Sequence, residues 1–142
     1  NVALAFGKFS NSWSAASPTP GSIIVGEDYA TWAAANSVGA EEADDDGDLL
    51  SNFLEFAMGT VPTSSDEQPF LTISVSTGPV TFPRHLGRSG VTLQFQTSTE
   101  LKIWTAQSTS ATNLTGSIQT NEFTIDLANH PELYWRLRAL GQ

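Results

Sequence analysis

The chain contains no cysteine, which excludes disulfides, zinc–thiolate sites and cysteine nucleophiles. Basic residues are scarce: 6 Lys and Arg stand against 15 Asp and Glu, for a formal net charge of −9. A nucleic-acid partner needs clustered Lys and Arg to displace phosphate counterions. The few bases here are scattered and build no such patch, and anionic membrane surfaces are disfavoured for the same reason. No stretch approaches the roughly 20 apolar residues of a membrane-spanning helix. No signal peptide is recognisable, and the chain starts at Asn1 rather than Met, which reads as a mature, processed or partial chain. Only two histidines occur, His85 in the turn Pro83 to Gly87 and His130 beside Pro131. Both read as surface-loop residues. Without a Gly-x-Ser-x-Gly elbow, Ser-His-Asp chemistry has little to build on, and the chain is expected not to be an enzyme.

What is present suits an extracellular all-β protein with one core. Of the 142 residues 39% are hydrophobic and only 15% charged, with Ser, Thr, Asn and Gln supplying the polarity. Residues 1–25 read as a strand-like segment and a linker. Val2, Leu4 and Phe6 share one face of Asn1 to Phe9, with Ala3 and Ala5 on the other, and the run Ser10 to Ser22 is rich in Pro and Ser. Residues 26–62 read as helix, acidic loop, helix. The first helix spans about Glu27 to Asn36, with Tyr29, Trp32 and Ala33 as an apolar stripe and Gly39 after its end. The second spans about Ser51 to Met58, buries Leu50, Phe53, Leu54, Ala57 and Met58, and stops at Gly59 before Pro62.

Residues 63–142 change period to two. Leu71, Ile73 and Val75 alternate with polar residues, as do Val91, Leu93 and Phe95, then Phe123, Ile125 and Leu127, then Leu133, Trp135 and Leu137. Weaker strands are expected at Val80–Phe82, Ile103–Thr105 and Thr115–Gln119. About seven short strands predict a mainly β fold, an Ig-like antiparallel β-sandwich with a small helix–calcium loop–helix unit on its N-terminal side.

The acidic loop carries the sharpest chemistry. Numbered as a twelve-residue calcium loop from Asp44, it places Asp44, Asp46 and Asp48 at positions one, three and five. Leu50 falls at seven, where a backbone carbonyl serves, Asn52 at nine and Glu55 at twelve, the usual bidentate ligand. Alternate residues of a tight turn aim carboxylates inward, and the following helix returns Glu55 to close a shell of hard oxygens. Seven of the 15 acids lie between Glu41 and Glu55, and their repulsion calls for a cation, Ca2+. Position six is Leu49 where glycine is usual. A β-carbon in the left-handed region costs roughly 1 kcal/mol or more, so the turn is expected to bend differently at Gly47 or to bind more weakly.

Several stretches together resemble a family. Tyr29-Ala30-Thr31-Trp32, the run Asp44 to Asp48, and Asn52-Phe53-Leu54-Glu55-Phe56-Ala57-Met58-Gly59-Thr60 resemble a C-terminal module of large secreted proteins of environmental bacteria. Its Asp/Gly calcium loop is similar to those of dockerins and thrombospondin type 3 repeats. Val91 to Leu101 with Trp104, and Tyr134 to Arg138, resemble its hairpin and closing strand. Gly7-Lys8-Phe9 and Ser17 to Gly21 resemble the end of a bacterial lamin-tail domain. The resemblance implies a non-catalytic terminal module used in secretion, attachment or assembly.

The expected function is therefore an extracellular or cell-surface structural module stabilised by calcium. It would be part of a larger parent protein, or a filament subunit that self-associates through the strand Asn1 to Phe9 added to a neighbour's sheet edge. The alternative is a carbohydrate-binding module that stacks a glycan on an exposed tryptophan. Trp32 and Trp135 read as core, whereas Trp13 and Trp104 are the open candidates. Asn113-Leu114-Thr115 reads as a polar turn, and Lys102, Arg136 and Arg138 as solvated charges on strand faces.

Overall fold

The computed structural model describes residues 26–65, 79–126 and 132–142. The strand-like segment Asn1 to Phe9, the linker, Trp13, the alternating run at Leu71 to Val75, and His130 lie outside these residues. The fold is mainly β: two short helices precede six strands in two antiparallel sheets that face one another as a sandwich.

Helix α1 (Tyr29–Asn36) starts two residues later than the spacing suggests because Asp28 is its cap, accepting from the Thr31 amide at 2.8 Å. Such a cap contributes about 1 kcal/mol. The helix ends on Ser37 in a left-handed conformation (φ 60°), before the expected Gly39. Helix α2 (Asn52–Met58) is capped by Ser51 and closes on Gly59, φ 82°, whose amide bonds the Glu55 carbonyl at 2.6 Å. Six of its seven residues are buried, so α2 is enclosed on nearly every side. Trp32, Ala33, Phe53 and Phe56 form one apolar cluster, joined by Tyr29, Val38, Val91 and Ala139.

The first sheet has the order β1 (Pro79–His85), β5 (Ile118–Thr124), β4 (Ser110–Thr115), and the second β3 (Thr105–Gln107), β2 (Val91–Ser98), β6 (Tyr134–Gly141). The strand expected at Thr115–Gln119 is instead a hairpin turn. Gly116 adopts φ 59° between the paired Thr115 and Ile118, a left-handed position suited to glycine. Asn113 correspondingly lies in β4, beside a register shift, and not in a turn. Between the sheets Phe95 stacks on Phe82, Phe123 and Trp135 at centroid distances of 5.8, 4.6 and 5.7 Å, with Val80 and Ile125 completing the core.

Strand β2 departs from simple alternation, since Phe95 through Ser98 are all buried. The outer face is covered by polar packing. Arg136 donates to Gln96 at 2.8 Å, Gln96 donates to Gln94 at 3.0 Å, and the Arg136 guanidinium lies 4.2 Å from the Trp104 ring centroid. Arg136 is thus half-buried rather than a freely solvated charge, Arg138 is exposed on the same strand, and Lys102 is exposed in the loop before β3.

Two devices dock the helical unit. Residues 26–27 run beside 87–89 as a parallel bridge, with Glu27 N to Gly87 O and Ser89 N to Glu27 O both at 2.9 Å. Arg88 pairs with Glu27, donates to the Phe56 carbonyl at 3.2 Å and sits 5.0 Å from the Phe56 ring centroid. At the other end, Gly59 abuts β1 and β5: a β-carbon there would lie 2.7 Å from Ile118 Cδ1 and 3.0 Å from His85 Cδ2. Gly47 also has φ 78° but nothing within 4 Å. Gly47→Ala is therefore expected to cost about 1 kcal/mol through the backbone alone, and Gly59→Ala about 2–4 kcal/mol because overpacking adds to it. Urea denaturation of the two variants measures the difference, and equal losses would mean that the Gly59 contact carries no energy.

Candidate metal centre

The acidic loop is built by its own side chains. Asp44 collects three amides, those of Gly47 (2.8 Å) and Asp48 (3.2 Å) on Oδ1 and that of Leu49 (3.0 Å) on Oδ2. Asp48 accepts from the Leu50 amide at 2.8 Å. These local bonds bend the chain so that Asp44, Asp46 and Asp48 each present a carboxylate oxygen, all within 4.8 Å of one another. The intervening Asp45 points away and accepts from the Gly39 amide at 2.7 Å, so alternate residues separate into inward and outward sets.

The turn also answers the question raised by Leu49. Gly47 has φ 78° and Leu49 has φ 76°. Leucine therefore adopts the left-handed conformation where glycine is usual, with its side chain 85% exposed. The loop keeps its bend at a backbone cost, and the leucine gains no burial to offset it.

Glu55, on α2, lies outside that cluster, but the charges of its three aspartates act on it. It has 0% exposed surface. Its Oε1 has one long contact, from Thr60 Oγ1 at 3.5 Å, and its Oε2 has no hydrogen-bond partner. Asp46 Oδ2 is buried without a partner as well. Burial pushes the Glu55 carboxyl up to about 7, and the charges of Asp46, Asp48 and Asp44 push in the same direction. Buried oxygens left without donors are costly. An orphaned oxygen on Asp46 itself, and another on Glu55, fit a bound cation, and the cluster of Asp44, Asp46 and Asp48 can hold a metal ion.

At the remaining expected positions, Leu50 and Asn52, the side chains have structural roles. Leu50 is buried against Met58, Leu54, Leu93 and Leu137, which anchors the end of the loop to the sandwich. Asn52 is fully buried, but its side chain serves the loop's frame: Nδ2 donates to the Ala40 carbonyl at 3.1 Å and Oδ1 accepts from the Asp45 amide at 3.4 Å. With both ends engaged, the Asn52 side chain holds the loop's shape. Tyr29 supports the same frame by donating to the Gly39 carbonyl at 2.9 Å. These supporting roles carry no sequence signature, because they depend on residues 7, 10 and 12 positions apart meeting in space.

Among the other candidates, His85 ends β1, half-buried, and accepts from the Gly87 amide at 3.1 Å, so it is a strand residue rather than a free loop histidine. Trp32 is buried and Trp135 is stacked in the sandwich core, while Trp104 has its ring against Arg136. No helix among the described residues is long and apolar enough to cross a membrane. No family model, no curated protein and no solved structure matches the chain.

The raised Glu55 pKa has a defined consequence for the metal-free protein. The folded state holds this proton up to about pH 7, while the unfolded state releases it near the ordinary 4.5. The neutral carboxyl's contribution to stability is then complete below pH 4.5 and is lost as pH rises through 7. Denaturation of metal-free protein between pH 5 and pH 8 is expected to show stability falling with pH, and Glu55→Gln to remove that component of the slope. An unchanged slope in the variant would mean that Glu55 is not the titrating group.

Proposed function

We propose that the chain is a non-catalytic, extracellular structural module completed by a calcium ion. It serves attachment or assembly at the cell surface, within a larger protein or as a subunit that joins its neighbours through Asn1 to Phe9. One observation carries the reading: Asp44, Asp46 and Asp48 converge, and buried oxygens of Asp46 and Glu55 lack hydrogen-bond partners, with the charges of these aspartates acting on Glu55. A divalent ion turns this repulsion into attraction and supplies the missing partners.

Calcium is the ion that suits the donors. Every side-chain donor is a carboxylate oxygen, a hard ligand, with no sulfur or imidazole among them. Calcium accepts six to eight such oxygens in a flexible shell, whereas magnesium demands near-octahedral geometry and keeps its waters. The carbonyl of Leu50 and water would complete the shell. The resemblance of the loop and α2 to calcium-bearing modules of secreted bacterial proteins agrees with this reading.

The structural role follows from where the loop sits. Residues on either side of it are tied together, with Asn52 N to Ala43 O at 2.7 Å and Phe53 N to Glu41 O at 3.0 Å. Clamping the loop therefore holds α1 against α2, and α2 against both sheets.

Calorimetric titration and thermal denaturation test the reading. One calcium ion per chain is expected, with affinity in the extracellular range of about 10⁻⁴–10⁻³ M or tighter. At a hundredfold excess over the dissociation constant, stability is expected to rise by about 2.7 kcal/mol over protein in chelator. Asp46→Asn and Glu55→Gln are each expected to weaken binding at least tenfold, because each removes a charged ligand. Identical melting in millimolar calcium and in EDTA would sink the proposal.

A further inference from the structure

The second sheet, β3-β2-β6, has no Asp or Glu in any of its strands, although the chain carries 15 acids and a net charge of −9. Its inner side chains Leu93, Phe95, Trp135 and Leu137 pack in the core. Alternation puts Thr92, Gln94, Gln96 and Ser98 of β2 on the outer face, with Tyr134, Arg136 and Arg138 of β6 beside them. Two of the chain's six bases thus share one acid-free surface, and Lys102 is exposed two residues before Trp104.

The hydrogen bonds of this face run in one direction. Arg136 Nε donates to Gln96 Oε1 at 2.8 Å, and Gln96 Nε2 donates to Gln94 Oε1 at 3.0 Å. Gln142 donates to the Thr92 hydroxyl, and Ser98 Oγ accepts the amides of Glu100 and Leu101 at 3.2 and 2.9 Å. The side-chain oxygens of all four outward β2 residues are therefore taken by the protein's own donors. What the face still offers is N–H. The Gln94 amide nitrogen, the terminal nitrogens of Arg136 and the exposed Arg138 guanidinium have no acceptor among the described residues.

The nearest acids do not supply one. Glu41 and Glu42 border a groove of about 440 Å³ beside β6 that Arg138 also lines, yet no ion pair joins either to it. Glu100 lines a cavity at the end of the sandwich together with the core-packed Phe123 and Leu133. Glu132 is exposed beyond the Tyr134 end of the row, on the order of 20 Å from Arg138 along the chain.

We propose that this face binds an acidic polysaccharide, one whose sugar rings carry carboxylates, through Arg138, Arg136 and Gln94. This rests on the attachment part of the proposed function and names what the module attaches to. A carboxylate accepts paired N–H bonds from a guanidinium, and ring hydroxyls accept from the Gln94 amide. Tyr134, 43% exposed, offers an aromatic ring to the C–H face of a sugar. An acidic peptide suits the face less, because an added strand pairs its backbone along a sheet edge, whereas a sheet face presents side chains alone. Nucleic acid suits it less, because duplex charge recurs every 1.7 Å or so and the two arginines stand roughly 7 Å apart along β6. The chain's negative charge elsewhere is screened beyond about 8 Å at physiological salt, so the local donors decide.

Surface plasmon resonance of the full chain over immobilised hyaluronan, in which a uronate alternates with a neutral sugar, tests the proposal in millimolar calcium. Saturable binding is expected, weakening at least tenfold when about 0.5 M salt is added. Arg138→Gln is expected to weaken binding about tenfold, and Arg138→Lys less, since it keeps the charge but loses the fork. Gln94→Glu puts an acceptor of the same size where a donor stood, and is expected to cost at least tenfold with melting unchanged. No binding to hyaluronan, or binding indifferent to Arg138 and Gln94, would overturn the proposal. So would equal binding to neutral dextran, to polyglutamate or to a single-stranded oligonucleotide. Binding that emerges only in Asp66→Asn/Glu67→Gln would overturn it as well, because the chain's own acids would then fill the face. Asp46→Asn is expected to retain hyaluronan binding, and loss there would mean that the ion bridges the polymer instead. Calcium titration of the same variants separates the two proposals. Normal calcium binding without hyaluronan binding removes only this face, and the expected hyaluronan pattern without calcium binding removes only the ion.

Discussion

Burial of one carboxylate is the constraint around which the N-terminal half of this fold is organised. An ionised carboxylate taken from water into a packed interior costs several kcal/mol unless it is paired. Glu55 is fully enclosed on α2, a helix that also buries Phe53, Phe56 and Ala57, and the charges of Asp46, Asp48 and Asp44 act on it. A proton on Glu55 relieves that cost, and the neighbouring cluster of Asp44, Asp46 and Asp48 can hold a metal ion. The loop's internal bonds from amides to Asp44 and Asp48 hold the carboxylates together in advance of either, so the repulsion is built into the folded state.

That local cost is tolerable because the rest of the helical unit is firmly docked. Tyr29, Trp32, Phe53 and Phe56 pack as an aromatic group with centroids 5.4–6.0 Å apart. Aromatic pairs of this kind add about 0.5–1.5 kcal/mol each beyond their burial. Arg88 then binds Glu27 and the Phe56 carbonyl while lying over the ring of Phe56. One guanidinium thus satisfies an anion, a carbonyl and a π-face, the combination for which arginine is better suited than lysine. On the opposite side of α2, Gly59 and Leu50 bring the helix onto the sheets, with Leu50 and Met58 packing near Leu93 and Leu137. The loop is consequently held at both ends by elements that are themselves fixed to the sandwich.

The sandwich supplies rigidity and edges. Its interior is a stack of aromatic rings about Phe95, and its outer face over β2 is closed by the series Gln94, Gln96, Arg136 and Trp104. This accounts for a strand buried on both faces in a protein that is otherwise polar outside. It also sets the Arg136 guanidinium against the Trp104 ring. The β6 edge pairs regularly with β2, and among the described residues no strand pairs with its other side.

Much of this was legible in the residues alone. Period-two alternation marked β2 and β6, helical spacing marked α1 and α2, and the offsets of Asp44, Asp46, Asp48 and Glu55 marked the cluster, because these patterns follow from backbone geometry within one element. Local propensity also misled where two readings compete over a few residues: Thr115–Gln119 is rich in strand formers but contains the Gly116 turn, and Asp28 was counted as helix although it caps one. Distance in the chain set the limit. The union of Arg88 with Glu27 and Phe56, the diversion of Asn52 to Ala40 and Asp45, the orphaned oxygens of Asp46 and Glu55, and the groove along β6 all arise where separate segments pack together. Packing, unlike periodicity, leaves no trace in the spacing of residues, so only the folded chain could assign those roles.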